Sequence, residues 1–461
     1  MTALSPPPLP DIDAAVSRLN AASLRQTSGR VAAVAGSAIT IQGMTAPIGC
    51  VCELTTDRGQ VVRGTVIGFA GSAPMLSLYD DMPSVAAGDR VRLVDAALRL
   101  PVGPSLCGRV LDALGRPIDG RPLPADLRWT DALRAAPEAL DRPPIDTALS
   151  TGVSAIDTML TCGRGQRLGI FAGSGVGKST LMGMLARGSA ADKIVIGMVG
   201  ERGREVQEFI DRSLGPAGLA RSVVVVATSD RPACQRVAAA HTATAIAEAF
   251  RDDGDDVLLL LDSVTRFAMA QRELGLAAGE PPTTRGYPPS VFNTLPQLVE
   301  RTGRTTAGSI TAFYTVLVEG DDPNEPIADT LRGLLDGHIV LSRRLSTEGH
   351  YPPIDVLESL SRLQTHIATD RAIAAAAAAR GHLAIHRQNE DLIAIGAYRA
   401  GTDPRIDAAI AARQRINEVL RQSADNLVEL PKSQSALVAA IESPPPAGVG
   451  DVNDPNAGAS S

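Results

Sequence analysis

The chain has 461 residues, a formal net charge of −7 and an aromatic content of only 3%. This length is more than one hydrophobic core usually serves, so we expect two or three domains. The acidic balance argues against a dedicated nucleic-acid binder, and the scarcity of aromatic side chains argues against a base-stacking platform. No apolar run approaches the roughly 18 residues of a membrane span and no signal peptide is visible, so any membrane role is expected to be peripheral.

The cysteines favour a cytoplasmic location. They are scattered and odd in number, which is typical of chains that stay reduced. One pair is too closely spaced, and lacks a second ligand pair, for an ordinary zinc site, so we expect two thiols on one face of a strand. That pair is Cys50 and Cys52, and the others are Cys107, Cys162 and Cys234.

The first 97 residues divide into an arm and a small barrel. Residues 1–27 begin Pro-rich and then space apolar residues as a short amphipathic helix does; a docking peptide and a frayed terminus fit equally. Residues 28–97 alternate short β-rich runs with Gly, Pro and Asp turns, which predicts a small β-barrel. The apolar residues of the arm are Ile12, Val16, Leu19 and Leu24, and the β-rich runs are 30–34, 38–42, 51–54, 61–69 and 90–94.

Residues 98–365 are predicted to form an α/β domain with a lead-in linker. The linker, to about residue 150, is rich in Pro and in turn residues. Beyond it, continuous apolar runs alternate with helical stretches, which predicts a parallel sheet covered on both faces. The apolar runs are 167–171, 194–199, 222–227, 257–261 and 309–318.

The end of the chain is predicted to be helical and then disordered. Residues 366–442 are rich in Ala, Ile and Leu, as in 372–379 and 406–420, which predicts a helical domain. Residues 443–461 contain mainly Pro, Gly, Ala, Asn and Ser, which is typical of a disordered tail.

A phosphate-binding loop is predicted at residues 171–180, FAGSGVGKST. An apolar run precedes it and another follows, which gives the strand, Gly-rich turn and helix that such loops need. The backbone N–H groups and the helix N-terminus favour phosphate oxygens, Lys178 can reach the β- and γ-phosphates, and the Ser179 hydroxyl can bind Mg²⁺. Ala172 replaces the usual first Gly, a conservative change. The candidate nucleotide-binding residues are Gly173, Ser174, Gly175, Val176, Gly177, Lys178, Ser179 and Thr180.

Three charged residues elsewhere are candidates for the same site. Asp262 ends an apolar strand and is a candidate Mg²⁺ ligand, directly or through water. Glu201 follows another apolar strand and could polarise an attacking water, although on spacing alone a charged helix start fits it better. Arg362 could bind a γ-phosphate with two N–H groups, but a structural ion pair is the default interpretation.

Several further motifs occur together with the phosphate loop and closely resemble the type III secretion ATPase family. This family contains the injectisome ATPases and the flagellar export ATPases and is related to the catalytic subunits of rotary ATP synthases. The resemblance covers roughly residues 28–430 and leaves out both ends. The motifs are GERGRE at 200–205, RGYPPS at 285–290, EGDD at 319–322, LDGHIVLSR at 335–343 and GHYPPID at 349–355.

The resemblance implies a P-loop ATPase core of the kind found in RecA and F1, with roles for individual residues. Lys178 and Ser179 would bind phosphates and Mg²⁺, and Asp262 would complete the Mg²⁺ shell. Glu201 would be the catalytic carboxylate, against the interpretation from spacing alone.

Three further roles follow from the resemblance. Arg202 would help to arrange the catalytic site. Arg362 would be an arginine finger that acts on ATP bound to the adjacent subunit, and Tyr351 would pack against adenine. The implied reaction is the hydrolysis of ATP to ADP and phosphate.

The resemblance also implies partners. The family forms homohexamers with ATP at the subunit interfaces and works on the cytoplasmic side of a membrane-embedded export gate. Its members release chaperones from secretion substrates and unfold those substrates. The N-terminal arm would contact a stator-like regulator, a central stalk protein would be a further partner, and the helical C-terminal domain would contact chaperone–substrate complexes. No nucleic-acid partner is expected.

Two other enzyme classes share such a core. A ring-shaped RNA translocase would need a basic, aromatic N-terminal module, which is missing here. A rotary ATP synthase catalytic subunit is disfavoured by the residues after Gly337. Within the export family, residues 165–171 and 354–357 lean slightly towards the injectisome branch, with flagellar export as the alternative.

Overall fold

The computed structural model describes residues 27–81, 84–318 and 325–443. The chain divides into two compact units, Met1–Ala97 and Leu98–Ser461. The predicted N-terminal arm up to residue 26, the 319–322 motif and residues 444–461 of the predicted tail lie outside the described residues. Within the described part of the chain, no helix is both long enough and apolar enough to cross a membrane.

The first unit is a closed six-stranded barrel with the strand order β1-β2-β5-β4-β3-β6. All of its neighbouring strands are antiparallel, so alternate side chains point into one shared core. The sequence pattern predicted each strand except β5, which has Pro74 near its start and is defined by its pairing with β4 and β2. The strands are β1 Ser28–Ala35, β2 Ala38–Gln42, β3 Val51–Thr55, β4 Val61–Ala70, β5 Ala73–Leu78 and β6 Arg90–Asp95.

Both thiols of the closely spaced cysteine pair lie in the barrel core. Cys50 and Cys52 are buried among Ile39, Leu54 and Leu76. Burial, and to a lesser extent the neighbouring Cys50, raises the pKa of the Cys52 thiol to about 11. These cysteines therefore pack as small apolar side chains.

The strands of the second unit form one large sheet and two small ribbons. The sheet has the order β19-β18-β12-β17-β15-β13-β14-β8, with β16 added beside β17, while β7 pairs with β9 and β10 with β11. The strands are β7 Arg99–Val102, β8 Arg109–Asp112, β9 Arg128–Asp131, β10 Ala148–Leu149, β11 Cys162–Gly163, β12 Arg167–Ala172, β13 Lys193–Val199, β14 Ser222–Ala227, β15 Asp256–Asp262, β16 Gly303–Arg304, β17 Ser309–Leu317, β18 Gly337–Leu341 and β19 Leu360–Ser361.

The sheet is parallel from β18 through to β8, and its short additions β19 and β16 are antiparallel. Its central strands are buried along almost their whole length, as the continuous apolar runs predicted. The predicted fold class, a P-loop α/β core with a small barrel and a helical C-terminal region, is confirmed. The segment that begins at residue 98 was predicted as a linker, but it is also part of the core, because its strand β8 extends the core sheet beside β14.

Helices cover this sheet, and the C-terminal helices pack on the same hydrophobic core. Ala375, Ala379, Ala412 and Ile416 of two such helices belong to one buried cluster with Ile170 of β12. The small Ala side chains let the helix backbones approach each other and the core closely. The helices before residue 350 are Ser154–Met159, Lys178–Gly188, Gly203–Glu208, Gly215–Ala220, Ala233–Asp252, Val264–Ala277, Pro289–Val299, Pro326–Leu334 and Arg343–Thr347. Those after it are Gln364–Ile367, Asp370–Gln388, Glu390–Ala394, Pro404–Leu420 and Leu430–Glu442, and Phe209–Leu214 is a π-helical turn.

Candidate active site

The predicted phosphate loop joins strand β12 to the helix Lys178–Gly188. β12 lies between β17 and β18 near the middle of the parallel sheet, where ligands bind beyond the carboxyl ends of the strands. Gly175 and Gly177 adopt positive φ values of 76° and 100°, which L side chains rarely adopt, so the turn requires glycine. The loop therefore presents backbone N–H groups and a helix N-terminus at the edge of the sheet.

Three charged side chains meet above the loop. Lys178 forms an ion pair with the carboxylate of Asp262, and its Nζ lies 3.5 Å from Oε1 of Glu201. Asp262 is the last residue of β15, and Glu201 follows the end of the neighbouring strand β13. Both carboxylates are almost completely buried, so the ammonium group balances charge that would otherwise be costly to bury. The structure thus brings together Lys178, Glu201 and Asp262.

Two residues that the sequence analysis missed hold these carboxylates in place. The Thr315 hydroxyl of β17 donates a 2.6 Å hydrogen bond to Oδ1 of Asp262. Arg266, in the first turn of the helix Val264–Ala277, donates from Nε to Oε1 of Glu201 at 3.3 Å. Neither residue belongs to a local motif, because each lies far from its partner in the sequence. The pairing of β13 with β15 and of β15 with β17 brings them together.

Gly200 allows Glu201 and Arg266 to lie this close together. Its φ is +72°, and a Cβ atom there would lie 2.8 Å and 3.0 Å from side-chain carbons of Arg266. A larger residue would therefore displace Arg266 from the turn that carries Glu201. Glycine is therefore required at the start of the GERGRE motif, because any side chain there would collide with Arg266.

A cavity of about 380 Å³ opens beside the first turn of the loop helix. Ser179 and Thr180 are exposed at its edge, and Phe209, Ala424 and Asp425 are among the residues that line it. This volume falls in the range of small-ligand sites.

A second cavity, of about 610 Å³, lies on the other side of the loop. Arg343 lines it and donates from Nη2 to the carbonyl oxygen of Ser174 at 3.2 Å, a contact that no motif predicted. The Arg332 guanidinium lies 4.9 Å from the centre of the Phe171 ring in the same cavity. Two arginine side chains, Arg332 and Arg343, therefore border the loop on this side. Burial lowers the pKa of His338, which also lines this cavity, and so favours its neutral form.

Tyr351 lies near the loop, whereas Arg202 points away from it. Tyr351 is half exposed, and Pro353, two residues further on, is the nearest neighbour that a Cβ at Gly177 would meet, at 3.8 Å. The Arg202 side chain is 74% exposed and pairs with Glu205 at 3.4 Å. It makes no contact with the Lys178 cluster in the described part of the chain.

Arg362 is exposed at the edge of the sheet, one residue beyond β19. Its Nη2 donates to the carbonyl oxygen of Arg332 at 3.3 Å, and its backbone N–H donates to that of Asp336 at 3.0 Å. Ser361 pairs with Gly337, at the amino end of β18, whereas the phosphate loop follows the carboxyl end of β12. At about 3.3 Å per residue, Arg362 lies roughly 13 Å or more along the strand direction from its own loop.

Two family models match the part of the chain that carries this site. Residues 152–361 match the ATP synthase alpha/beta family, nucleotide-binding domain, and residues 368–439 match the T3SS EscN ATPase C-terminal domain. The parallel sheet, the phosphate loop and the paired carboxylates agree with the first model. Fold and site together define an ATP-hydrolysing enzyme of this class, which confirms the predicted activity.

Whole-chain relatives narrow the class. The flagellum-specific ATP synthase of Bacillus subtilis is 51% identical over 89% of this chain and 94% of its own length. The type 3 secretion system ATPase of Xanthomonas euvesicatoria is 49% identical over 87% and 90%. A solved structure of the assembled ATPase EscN with its central stalk EscO, from enteropathogenic E. coli, has a TM-score of 0.82 and 42% identity, and it covers 90% of this chain and 100% of its own. The chain belongs to the family of type III secretion and flagellum-specific ATPases.

The predicted family resemblance is therefore confirmed, and with it nucleotide binding as a family property. The two branches are not separated, because flagellar and secretion-system relatives match at nearly the same identity. The individual roles of the site residues stay predictions.

Proposed function

We propose that this protein hydrolyses ATP to energise type III protein export at the cytoplasmic face of a membrane-embedded export apparatus. The observation that supports this most directly is the cluster of Lys178, Glu201 and Asp262 at the end of the phosphate loop. A cation, a carboxylate positioned near it and a second carboxylate at a strand end are the groups that phosphoryl transfer needs.

ATP and Mg²⁺ fit the residues present. The loop backbone from Gly173 to Gly177, with Lys178, Ser179 and Thr180, offers N–H, ammonium and hydroxyl groups to the phosphates. The Ser179 hydroxyl and the Asp262 carboxylate are hard oxygen ligands of the kind that Mg²⁺ prefers. Bound there with the nucleotide, Mg²⁺ would neutralise charge on the β- and γ-phosphate oxygens.

In the mechanism that we propose, water attacks the γ-phosphate in line with the leaving ADP. Glu201 orients the water and accepts its proton, and Arg266 holds Glu201 in position. Lys178 shifts from the carboxylates to the phosphates when nucleotide binds. Arg362, which is exposed and remote from its own loop, acts on the nucleotide of the adjacent subunit. Arg202 helps to arrange the site from its exposed position.

The nucleoside would extend from the loop towards Tyr351 and the cavity beside Ser179. Tyr351 supplies an aromatic surface for adenine, and its half-exposed ring is accessible to a ligand. The cavity of about 380 Å³ has room for a nucleoside.

A homohexamer would place each Arg362 at the site of a neighbour and bring the ATP sites to the subunit interfaces. EscN was solved as an assembled ATPase with its central stalk EscO, which supports ring assembly and a central stalk partner here. The other partners that we propose are a stator-like regulator at the arm 1–27, the export gate, and chaperone–substrate complexes at the helical region 366–442. These contacts would make the protein peripheral to the inner membrane.

We propose that the protein belongs to the injectisome branch, because residues 165–171 and 354–357 resemble that branch slightly more than the flagellar one. Flagellar export is the second candidate, supported by the 51% identity to the Bacillus subtilis flagellum-specific protein. Deleting the gene in its source bacterium distinguishes the two. Loss of effector secretion with normal swimming supports the first, and loss of swimming with normal secretion supports the second.

The function itself is tested by Lys178→Ala. The variant should lose ATP hydrolysis and should fail to restore export to the deletion strain, because it removes the ammonium group that contacts both Glu201 and Asp262 at the phosphate loop. The matched control for ATP hydrolysis is Lys432→Ala, since Lys432 is exposed and pairs with Glu429. Normal export by the Lys178 variant would overturn the proposal.

A further inference from the structure

The segment 422–426 forms one wall of the cavity beside the phosphate loop. It connects the helix Pro404–Leu420 to the helix Leu430–Glu442, and its Ala424 and Asp425 line the cavity together with Ser179 and Thr180. A ligand whose phosphates lie in the loop must place its remaining part in adjoining open space. The position of this segment therefore sets the shape of the space offered to a nucleoside.

The side chain of Gln422 anchors this segment. Gln422 is buried, its Oε1 accepts a 2.8 Å hydrogen bond from the backbone N–H of Ser154, and its Nε2 donates to the carbonyl oxygen of Gly152 at 2.7 Å. Nε2 also donates to the carbonyl oxygen of Asn426, which closes the segment into a tight turn. Both polar atoms of the amide are thus used, and a buried amide with all its partners has one strongly preferred position.

Two more hydrogen bonds connect the same segment to the nucleotide site. The backbone N–H of Gln422 donates to the carbonyl oxygen of Tyr351 at 2.8 Å. Arg187, on the helix that begins at Lys178, donates from Nη2 to the carbonyl oxygen of Ala424 at 2.6 Å. The segment is therefore bonded to the core, to the Tyr351 loop and to the phosphate-loop helix.

We propose that Gln422 is a positioning residue for nucleotide binding, which holds the segment 422–426 and Tyr351 in the arrangement that receives the nucleoside. The inference rests on the proposed function, because it assumes that a nucleotide binds at this loop. Gln422 lies in the C-terminal helical region and contacts no reacting atom. It acts through the wall that it anchors, as a supporting residue does for a binding site.

The first test replaces the amide by an apolar side chain of similar size, Gln422→Leu. The KM for ATP should rise about tenfold and kcat should stay within twofold, because the wall shifts while Lys178 and the carboxylates keep their places. Gln422→Asn, whose amide is one methylene too short for its partners, is a milder variant that should raise KM about threefold. If Gln422→Leu does not fold, Gln422→Asn still tests the inference.

The second test separates the nucleoside from the phosphates. In Gln422→Leu and Gln422→Asn, the Kd of ADP should rise with the KM of ATP, whereas the Kd of inorganic tripolyphosphate should stay at the wild-type value. Tripolyphosphate has no nucleoside and needs only the phosphate loop. A purely structural role for Gln422 would weaken both ligands together and would lower kcat as well.

Gln434→Leu is the matched control. Gln434 belongs to the same helical region and donates to the carbonyl oxygen of Asp157 at 3.3 Å, but it does not line the cavity. It should leave KM and both Kd values unchanged. An unchanged KM in a folded Gln422 variant, or equal weakening of ADP and tripolyphosphate, would overturn the inference. Neither result would affect the proposed function, which depends on the separate result for Lys178→Ala.

Discussion

Lys178 is the residue on which the site is centred. It lies at the start of a helix and its ammonium group contacts carboxylates from two neighbouring strands, Glu201 and Asp262. In this arrangement the two buried acids are held near each other by the cation between them. Binding of a nucleotide would supply competing negative charge, so the same lysine can exchange carboxylate partners for phosphate oxygens.

Glu201→Gln tests the role of that carboxylate. We expect hydrolysis to fall about 10²–10³-fold because the amide cannot accept a proton from the attacking water. Binding of ATP should be kept, since the side chain has almost the same size and the loop is untouched. Turnover and equilibrium binding of a fluorescent ATP analogue measure the two effects.

The control for this experiment is Glu273→Gln. Glu273 lies on the helix Val264–Ala277, pairs with Arg236 at 2.6 Å and lines neither cavity beside the phosphate loop. Its replacement should change turnover less than twofold. Equal losses in both variants would mean that the loss of any negative charge lowers turnover, and Glu201 would lose its proposed role.

At the scale of single elements, the residues proposed to act in hydrolysis lie at strand ends and helix starts. The parallel strands β13, β15 and β12 all end at the same edge of the sheet, so the residues that follow them are brought together by pairing alone. Arg362 is kept away from this edge, because the antiparallel pairing of β19 leaves it near the amino end of β18.

The helix Ala233–Asp252 contains a buried histidine, His241, that should make stability depend on pH. Glu248 and Arg301 form a fully buried ion pair at 2.7 Å, and Nη1 of Arg301 lies 3.3 Å from Nδ1 of His241. Burial, and secondarily Arg301, lowers the pKa of His241 from 6.5 to about 3. The imidazole is therefore neutral in the folded protein at neutral pH.

The sign of the effect follows from this lowered pKa. Below pH 6.5 the unfolded chain binds a proton at His241 that the folded protein does not bind, so stability present above pH 6.5 is lost towards pH 3. His241→Gln should make the free energy of unfolding less dependent on pH by about 1.4 kcal/mol per pH unit in this window. Urea denaturation at pH 7 and pH 5 measures it.

His366→Gln is the control for the pH experiment, because His366 is exposed and lies on another helix. It should leave the pH dependence of unfolding as in the wild type. If His241→Gln and the wild type lose the same stability between pH 7 and pH 5, His241 is protonated in the folded protein.

At the scale of the whole molecule, the proposed catalytic unit is the ring. The phosphate loop and Arg362 of one chain lie too far apart to serve one γ-phosphate, and Arg362 is exposed for contact with another copy. ATP hydrolysis would then require two subunits at every site. This arrangement makes activity depend on assembly.

Mixed rings test whether the site is shared. Arg362→Ala alone should bind nucleotide without hydrolysing it, and Lys178→Ala alone should be inactive. Mixing the two should restore activity at interfaces where an intact loop meets an intact arginine, which is roughly a quarter of them for random assembly. A mixture as inactive as its components would contradict a shared site.

The dependence of turnover on protein concentration is a second test at this scale. ATPase activity per subunit should rise with concentration as rings form, and it should level off once assembly is complete. Arg332→Ala, which keeps the backbone carbonyl that Arg362 contacts and removes the guanidinium beside Phe171, should show the same profile. A flat profile for the wild type would mean that single subunits are active.

Much of this protein can be predicted from local patterns. Continuous apolar runs predicted the central strands, and the loop at 171–180 was recognisable because its glycines, lysine and hydroxyl groups act through adjacent residues. The motifs also pointed to the correct family. Strand β5 and the sheet strand β8 were missed, since each is defined by pairing with strands from elsewhere in the chain.

The partners of the proposed catalytic groups become neighbours only in the folded chain. Spacing alone favoured a surface role for Glu201, and only the adjacency of β13 and β15 brings it to Lys178. Thr315, Arg266 and Gln422 act across separations of 53, 65 and 270 residues, which no local pattern contains. The residues of the loop are neighbours in the sequence, but the groups that support them become neighbours only when the sheet and the C-terminal helices pack together, because packing is what lowers their free energy in that arrangement.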